Sequence, residues 1–258
     1  MRVINLPYRM LTDAHAHIND PVFDDDRSEV LKRAYDAGIT SIIAVSETLA
    51  DCHKNLELSN IHPEICPAAG LYPTILDLEQ AEAIEEFIRL NCQKLIAIGE
   101  VGLDFWKIQD EAERELQREI FHRFITLSIE LNIPLNIHSR SAGRHTINML
   151  LKADAKRVLL HAFDAKASTA MPAVEAGYYF SIPPSIIRSR QKQKLVKQLP
   201  LSNILLETDS PVLGPDPSQR NEPANLTISL KTIAELKGIS ETEVKEAVTD
   251  NCKKLFLI

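Results

Sequence analysis

Four histidines and two carboxylates carry the most specific chemistry in the sequence. His15 and His17 close a short apolar run that begins at Met10. Glu100 follows Ile96-Ala97-Ile98-Gly99, and His138 ends Pro134-Leu135-Asn136-Ile137. His161 ends Val158-Leu159-Leu160, and Asp209 follows Leu205-Leu206-Glu207-Thr208. Imidazole and carboxylate are the ordinary ligands of divalent first-row ions. One tetrahedral zinc needs only four donors. Six match two divalent ions (Mg²⁺, Mn²⁺ or Zn²⁺) sharing a carboxylate, an arrangement that activates water for hydrolysis. Each residue alone has a blander explanation: a hydrogen-bonded core histidine, a helix cap or a salt bridge. Six in one structural position are not explained by packing, because buried charge is costly unless it is paired or metal-bound.

That position is the end of a strand. Apolar runs of five to seven residues, rich in Ile, Val, Leu and Ala, occupy 10–15, 40–45, 65–70, 95–101, 134–138, 157–161, 177–181 and 203–207. Such runs suit parallel strands buried on both faces. Between them lie helical patterns. Leu116, Ile120, Phe121, Phe124, Leu127 and Leu131 repeat at three- and four-residue steps, one face of a long helix. Ala81, Ile84, Phe87 and Ile88 do the same. Asp77-Leu78-Glu79-Gln80 and Ser240-Glu241-Thr242-Glu243 read as capping boxes. Gly38 and Gly177 stand where a helix must end in a left-handed residue before a strand. Eight strand–helix periods over 258 residues without a linker predict a single (β/α)8 TIM-type barrel domain over 1–258. A doubly wound open sheet would carry a glycine-rich first turn, and no G-x-G-x-x-G is present. In a barrel, the strand ends converge on one cavity, and His15 and His17, two apart, face one side.

Composition narrows the function classes. The chain is 45% hydrophobic and 25% charged, which is globular rather than disordered or fibrous. Its 29 Lys+Arg against 36 Asp+Glu give −7, so a bulk basic footprint for nucleic acid is absent. Cys52, Cys66, Cys92 and Cys252 show no C-x-x-C spacing and read as thiols in a reducing cytoplasm. Residues 1–10 lack the apolar core of a secretory signal, and no run is long enough to span a membrane. Motifs for a serine-hydrolase elbow, a zincin helix or a phosphate-binding P-loop are missing.

The ordered set of motifs resembles the TatD family of metal-dependent deoxyribonucleases over nearly the whole chain. The matching stretches are Asp13-Ala14-His15-Ala16-His17, Ile98-Gly99-Glu100-Val101-Gly102-Leu103-Asp104, Ile137-His138-Ser139-Arg140, Leu160-His161-Ala162-Phe163, Leu206-Glu207-Thr208-Asp209-Ser210-Pro211 and Arg220-Asn221-Glu222-Pro223-Ala224-Asn225-Leu226. The resemblance implies hydrolysis of DNA phosphodiesters at a two-metal site. It places His15, His17 and Asp209 at one ion, His138 and His161 at the other, and Glu100 between them. Two departures bear on substrate choice. Tyr72 replaces the family's histidine in Gly70-Leu71-Tyr72-Pro73, and Asp164-Ala165 replaces a Ser-Gly ending.

The expected roles follow. Asp209 positions and deprotonates the attacking water as general base, with Glu100 the other catalytic carboxylate. Arg140, two residues past His138, holds phosphate, and Tyr72 faces the substrate. Arg220 and Glu222 either line the substrate pocket, as the resemblance implies, or form a loop salt bridge. Asp13, Asp104 and Glu207 orient ligand imidazoles. His53, His62 and His122 are surface residues, and His145 lies in a loop that can reach substrate. Arg188, Arg190, Lys192, Lys194 and Lys197 either track a nucleic-acid backbone or form a solvated helix face. The runner-up activity is hydrolysis of a small ester, amide or lactone in the same barrel superfamily, and the non-enzymatic reading is a metal-binding scaffold.

Overall fold

A computed structural model describes residues 11–257. The expected start of the first strand at Met10, and the reading of residues 1–10, lie outside the described residues. Eight parallel strands are hydrogen-bonded in chain order: β1 (Leu11–Ala16), β2 (Ile39–Ala44), β3 (Ile65–Ala69), β4 (Ala97–Gly102), β5 (Leu135–His138), β6 (Val158–Leu160), β7 (Tyr179–Ile182) and β8 (Ile204–Leu206). The sheet closes just beyond β1 and β8, where Asp209 N–H donates to the His15 carbonyl (2.9 Å) and His17 N–H to that of Ser210 (2.8 Å). The result is the expected barrel.

The helices are α1 (Arg27–Asp36), α2 (Leu49–Ile61), α3 (Leu78–Asn91), α4 (Glu111–Leu131), α5 (Gly143–Lys152), α6 (Ala167–Glu175), α7 (Arg190–Gln198), α8 (Leu226–Lys237) and α9 (Glu241–Phe256). Their ends follow local chemistry. Ser240 and Glu243 form the expected reciprocal capping box, and Thr48 with Asp51 forms another on α2. The Asp77 carboxylate accepts from the N–H groups of Glu79 and Gln80, while the Gln80 amide donates back to that carboxylate. Such caps contribute about 1 kcal/mol each. Gly38 and Gly177 adopt φ of 86° and 80°, the left-handed turn expected of them.

Strand parity sorts the core. Ile42, Ala44, Ile98, Leu160 and Ile204 belong to the large cluster beneath the helices. Their neighbours Ile43, Val45, Ala97, Leu159 and Leu205 form a second cluster with Cys252, Leu255 and Phe256 of α9. Since alternate residues face opposite sides of a strand, this second cluster is the barrel interior, closed by the end of α9.

Two of the three register irregularities fall beside candidate site residues. One lies between Asp13 and Ala16 in the β1–β2 pair, the other between Ile98 and Val101 in β4–β5. Such irregularities re-aim side chains. Here they sit beside the His15 and His17 pair and Glu100. Around Glu100 the packing admits no Cβ: one added at Gly70 would lie 2.5 Å from the Glu100 carbonyl oxygen, and one at Gly99 2.6 Å from Asn136 Cβ.

Candidate metal centre

The six predicted ligands meet at the carboxyl ends of the strands. Glu100 lies at their centre. Its Oε1 is 2.6 Å from His138 Nδ1 and 2.8 Å from His161 Nε2. Its Oε2 is 3.7 Å from His15 Nε2 and 3.5 Å from His17 Nε2. Asp209 Oδ1 stands 3.6 Å and 3.5 Å from the same two histidine nitrogens. The rings of His15 and His161 stack at 3.8 Å. Ligand atoms of His15, His17 and Asp209 fall within 4.8 Å of one another, as do those of Glu100, His138 and His161.

The ligands are themselves held. His15 Nδ1 is 2.9 Å from Asn136 Oδ1, and the Asn136 amide donates to the Ala14 carbonyl. That fixes the ring and turns Nε2 to the centre. His138 Nε2 is 3.2 Å from Asp104 Oδ2, and His161 Nδ1 is 3.7 Å from Glu207 Oε2. Asp13 acts differently from expectation. Its carboxylate accepts from the backbone N–H groups of His15 and Thr208 and from the Thr208 hydroxyl, so it ties β1 to β8 and touches no imidazole.

The electrostatics call for cations. Burial and the neighbouring His161 pull His15 down to about 3. Burial alone would lower His17, yet its bond to Asp209 and the charges of Glu100, Asp209 and Glu47 lift it to about 9. Burial is overcome in the same way at His138, which Asp104 and Glu100 lift to about 9. Burial would raise the two carboxyls, but His161 and His138 hold Glu100 well below the usual range, and His17, His15 and His161 lower Asp209. Protonated histidines thus compensate the carboxylates. Even so, His15 Nε2 and Glu100 Oε2 are buried with no hydrogen-bond partner, and buried polar atoms are rarely left so. An imidazole lone pair and a carboxylate oxygen, both unpartnered and aimed at one point, fit a divalent cation.

Residues 12–257 match the family model of the TatD-related DNases. The chain belongs to the TatD family. It is 48% identical to the human deoxyribonuclease TATDN3 over 95% of this chain and 94% of that protein. It is 32% identical to the metal-dependent hydrolase YabD of Bacillus subtilis, covering 96% and 100% of the two. The TatD homologue YjjV of Escherichia coli superposes with a TM-score of 0.90 at 26% identity, covering 98% of this chain and all of that one.

The cluster opens into a cavity of about 470 Å³, lined by Glu47, Tyr72, Glu100, His138, Ser139, Arg140, His161, Ala162, Asp164, Lys192, Asp209, Val212 and Leu213. Tyr72 is half-buried, with its ring 5.3 Å from that of His138; burial and the nearby carboxylates raise its hydroxyl pKa. Arg140 is exposed and its guanidinium lies 3.8 Å from the centre of the Trp106 ring. Arg220 and Glu222 do not line the cavity. Arg220 donates to Asp26 and to the Val22 carbonyl, and Glu222 accepts from Arg33. Both side chains are instead held in ion pairs, Arg220 by Asp26 just before α1 and Glu222 by Arg33 within it. His145 is exposed against Phe105. His53 and His122 are exposed, and His62 is half-buried 3.9 Å from Glu64.

Three contributors were missed from sequence. Glu47 is 3.8 Å from His17 Nδ1 and shares a ligand group with His17 and Glu100. It stands three residues past β2, so the strand-end rule, extended by a few residues, would have found it. Asn136 shares the parity of His138 on β5, which is its only signal. Lys192 sits inside the basic run, yet it is buried in the cavity wall.

Proposed function

We propose that the chain works as a single barrel domain, a deoxyribonuclease that hydrolyses DNA phosphodiesters with two divalent cations (Mg²⁺, Mn²⁺ or Zn²⁺). The observation that carries this reading is the placement of Glu100, with one oxygen beside His138 and His161 and the other facing His15 and His17. One cation would be held by His15, His17 and Asp209, the other by His138 and His161, with Glu100 reaching both. Bound there, the cations would bring water toward a neutral pKa and offset charge on the phosphate oxygens.

The chain's residues supply the rest. Asp209 stays ionised and accepts the proton of the attacking water. Asn136 and Asp104 fix the rings of His15 and His138, so those donor nitrogens need no reorganisation. Arg140, braced on Trp106, offers a planar fork to a phosphate, and Tyr72 shapes the wall beside His138. The superfamily's ester, amide and lactone hydrolases often bridge their metals through a carboxylated lysine on the fourth strand; on β4 here Glu100 stands instead. Among the described residues no helix is long and apolar enough to cross a membrane. We place the protein in the cytoplasm on its four free thiols.

The test is metal content and DNA cleavage measured together. Chelator-stripped protein reloaded with Mn²⁺ or Zn²⁺ should retain two ions per chain and cleave an oligodeoxynucleotide. Glu100→Gln should retain at most one and cleave little. One ion per fully active chain would contradict the proposal.

A further inference from the structure

The basic run after β7 divides into two kinds of lysine. On α7, Lys192, Leu195 and Val196 are buried, whereas Arg190, Lys194 and Lys197 are exposed. Residues three and four apart share a helix face, so Lys192 lies on the apolar, inward face rather than with the other cations. It is 8% exposed and lines the cavity that Glu100, His161 and Asp209 also line.

Its ammonium is under-partnered. Nζ donates to the Ala162 carbonyl at 2.8 Å. Ala162 is held in the left-handed region at φ 41°, with its own N–H donating to Glu207 at 2.8 Å. The peptide that receives Lys192 is therefore fixed at both ends. An ammonium has three protons to donate, and Nζ has no other acceptor among the described residues. No carboxylate there lies within ion-pair distance of it. Burial lowers its pKa, and the charges of Glu207, Asp164 and Asp209 oppose this from further away. With Asp209 and its neighbours engaged by metal, that compensation shrinks. A buried cation held by one neutral carbonyl is costly unless an anion completes it.

We infer that Lys192 contacts substrate: its ammonium binds a non-bridging oxygen of the phosphate that sits at the metal centre. This makes Lys192, with Arg140, a second cationic contact to the phosphate, and it rests on the phosphodiesterase reading given above. The exposed members of the run do not share this role.

The test uses the metal-loaded protein and inorganic phosphate as probe. Phosphate affinity is measured by titration calorimetry for wild type, Lys192→Met, Lys192→Gln and Lys192→Arg, with metal content and thermal midpoint recorded for each. Lys192→Gln keeps a donor for the Ala162 carbonyl but loses the charge. Loss of a charge-assisted hydrogen bond should weaken phosphate binding by about tenfold or more in both neutral variants, with metal content unchanged. Lys192→Arg should retain most of the affinity. For bis(4-nitrophenyl) phosphate the neutral variants should show a raised KM. A residue that merely braces the Ala162 loop predicts the opposite: Lys192→Gln like wild type, and Lys192→Met with lost metal or stability but normal phosphate affinity per loaded site. If Lys192→Met does not fold, Lys192→Gln and Lys192→Arg carry the comparison. Phosphate affinity in Lys192→Gln within twofold of wild type overturns the inference. Phosphate binding that depends on Lys192, in a protein that cleaves no phosphodiester, would uphold the anion site and remove the phosphodiesterase reading instead.

Discussion

The two ends of one barrel are built from the same strands and obey different rules. At the amino end the interior is apolar. Ala97, Leu159 and Leu205 meet Leu255 and Phe256 of α9, and no buried carboxylate or imidazole stands among them. Two residues further along β6, and just past β8, the inward face changes from Leu159 to His161 and from Leu205 to Glu207. The carboxyl end then buries Asp13, His15, Glu100, Asp104 and Glu207, with polar atoms of His15 and Glu100 left unpartnered. A step of two residues is about 6.6 Å of strand. Within it the core passes from stabilising the fold to storing unsatisfied charge for chemistry. Local rules are broken where function sits, and the intact end carries that cost.

The largest effects should separate the ends most sharply. Glu100→Gln should lower kcat for DNA by about 10³-fold, the scale of several kcal/mol of lost charge stabilisation. Phe256→Ala should instead cost about 3–5 kcal/mol of stability through lost packing. Its kcat/KM, measured well below its melting point, should match wild type. A Phe256 variant that loses activity while folded would break the separation.

Metal removal sharpens it further. Chelation should lower the stability of wild type but affect Glu100→Gln less, since ligand binding stabilises by about 2.7 kcal/mol at a hundredfold excess over Kd. The pH dependence has a definite sign. His17 and His138, lifted to about 9 in the metal-free protein, must lose protons to ligate. Metal affinity should therefore rise with pH toward 9, and binding at pH 7 should release protons. Calorimetry in buffers of different ionisation enthalpy reads this directly, and buffer-independent heats would contradict it.

Smaller effects belong to the rim. Arg140→Ala should raise KM for DNA about tenfold with a lesser change in kcat, since an exposed arginine on phosphate contributes mainly binding. Arg220→Ala removes the exposed pair with Asp26, the bond to the Val22 carbonyl and the contact with the Phe23 ring, so stability should fall by about 1 kcal/mol and activity should not change. Loss of activity in Arg220→Ala would restore it to the pocket.

The barrel and the six central residues were legible because both rest on periodicity. Strand runs repeat, and each metal-competent side chain stands at the end of a run. What stayed hidden depends on long-range approach. Arg220 meets Asp26 and Glu222 meets Arg33 across about 190 positions of sequence. Local pattern cannot show Asp26 and Arg33, at the head of α1 and within it, taking both side chains away from the pocket. Lys192 was masked by its company: composition groups it with four cations, and only helix phase separates it from them. Asp13 shared the parity of His15, yet the irregularity after it sends its carboxylate to Thr208. Asn136 took the expected place beside the imidazole, and an amide within an apolar strand gives no ligand signal.

The central claim is that Glu100 joins two cation sites. Anomalous diffraction from crystals soaked in Mn²⁺, collected at the manganese edge, tests it most directly. The account predicts two peaks about 3.5–4 Å apart, one within reach of His15, His17 and Asp209, the other of His138 and His161, with one Glu100 oxygen at each. A single peak at full occupancy, or a second peak that Glu100 does not touch, would contradict it.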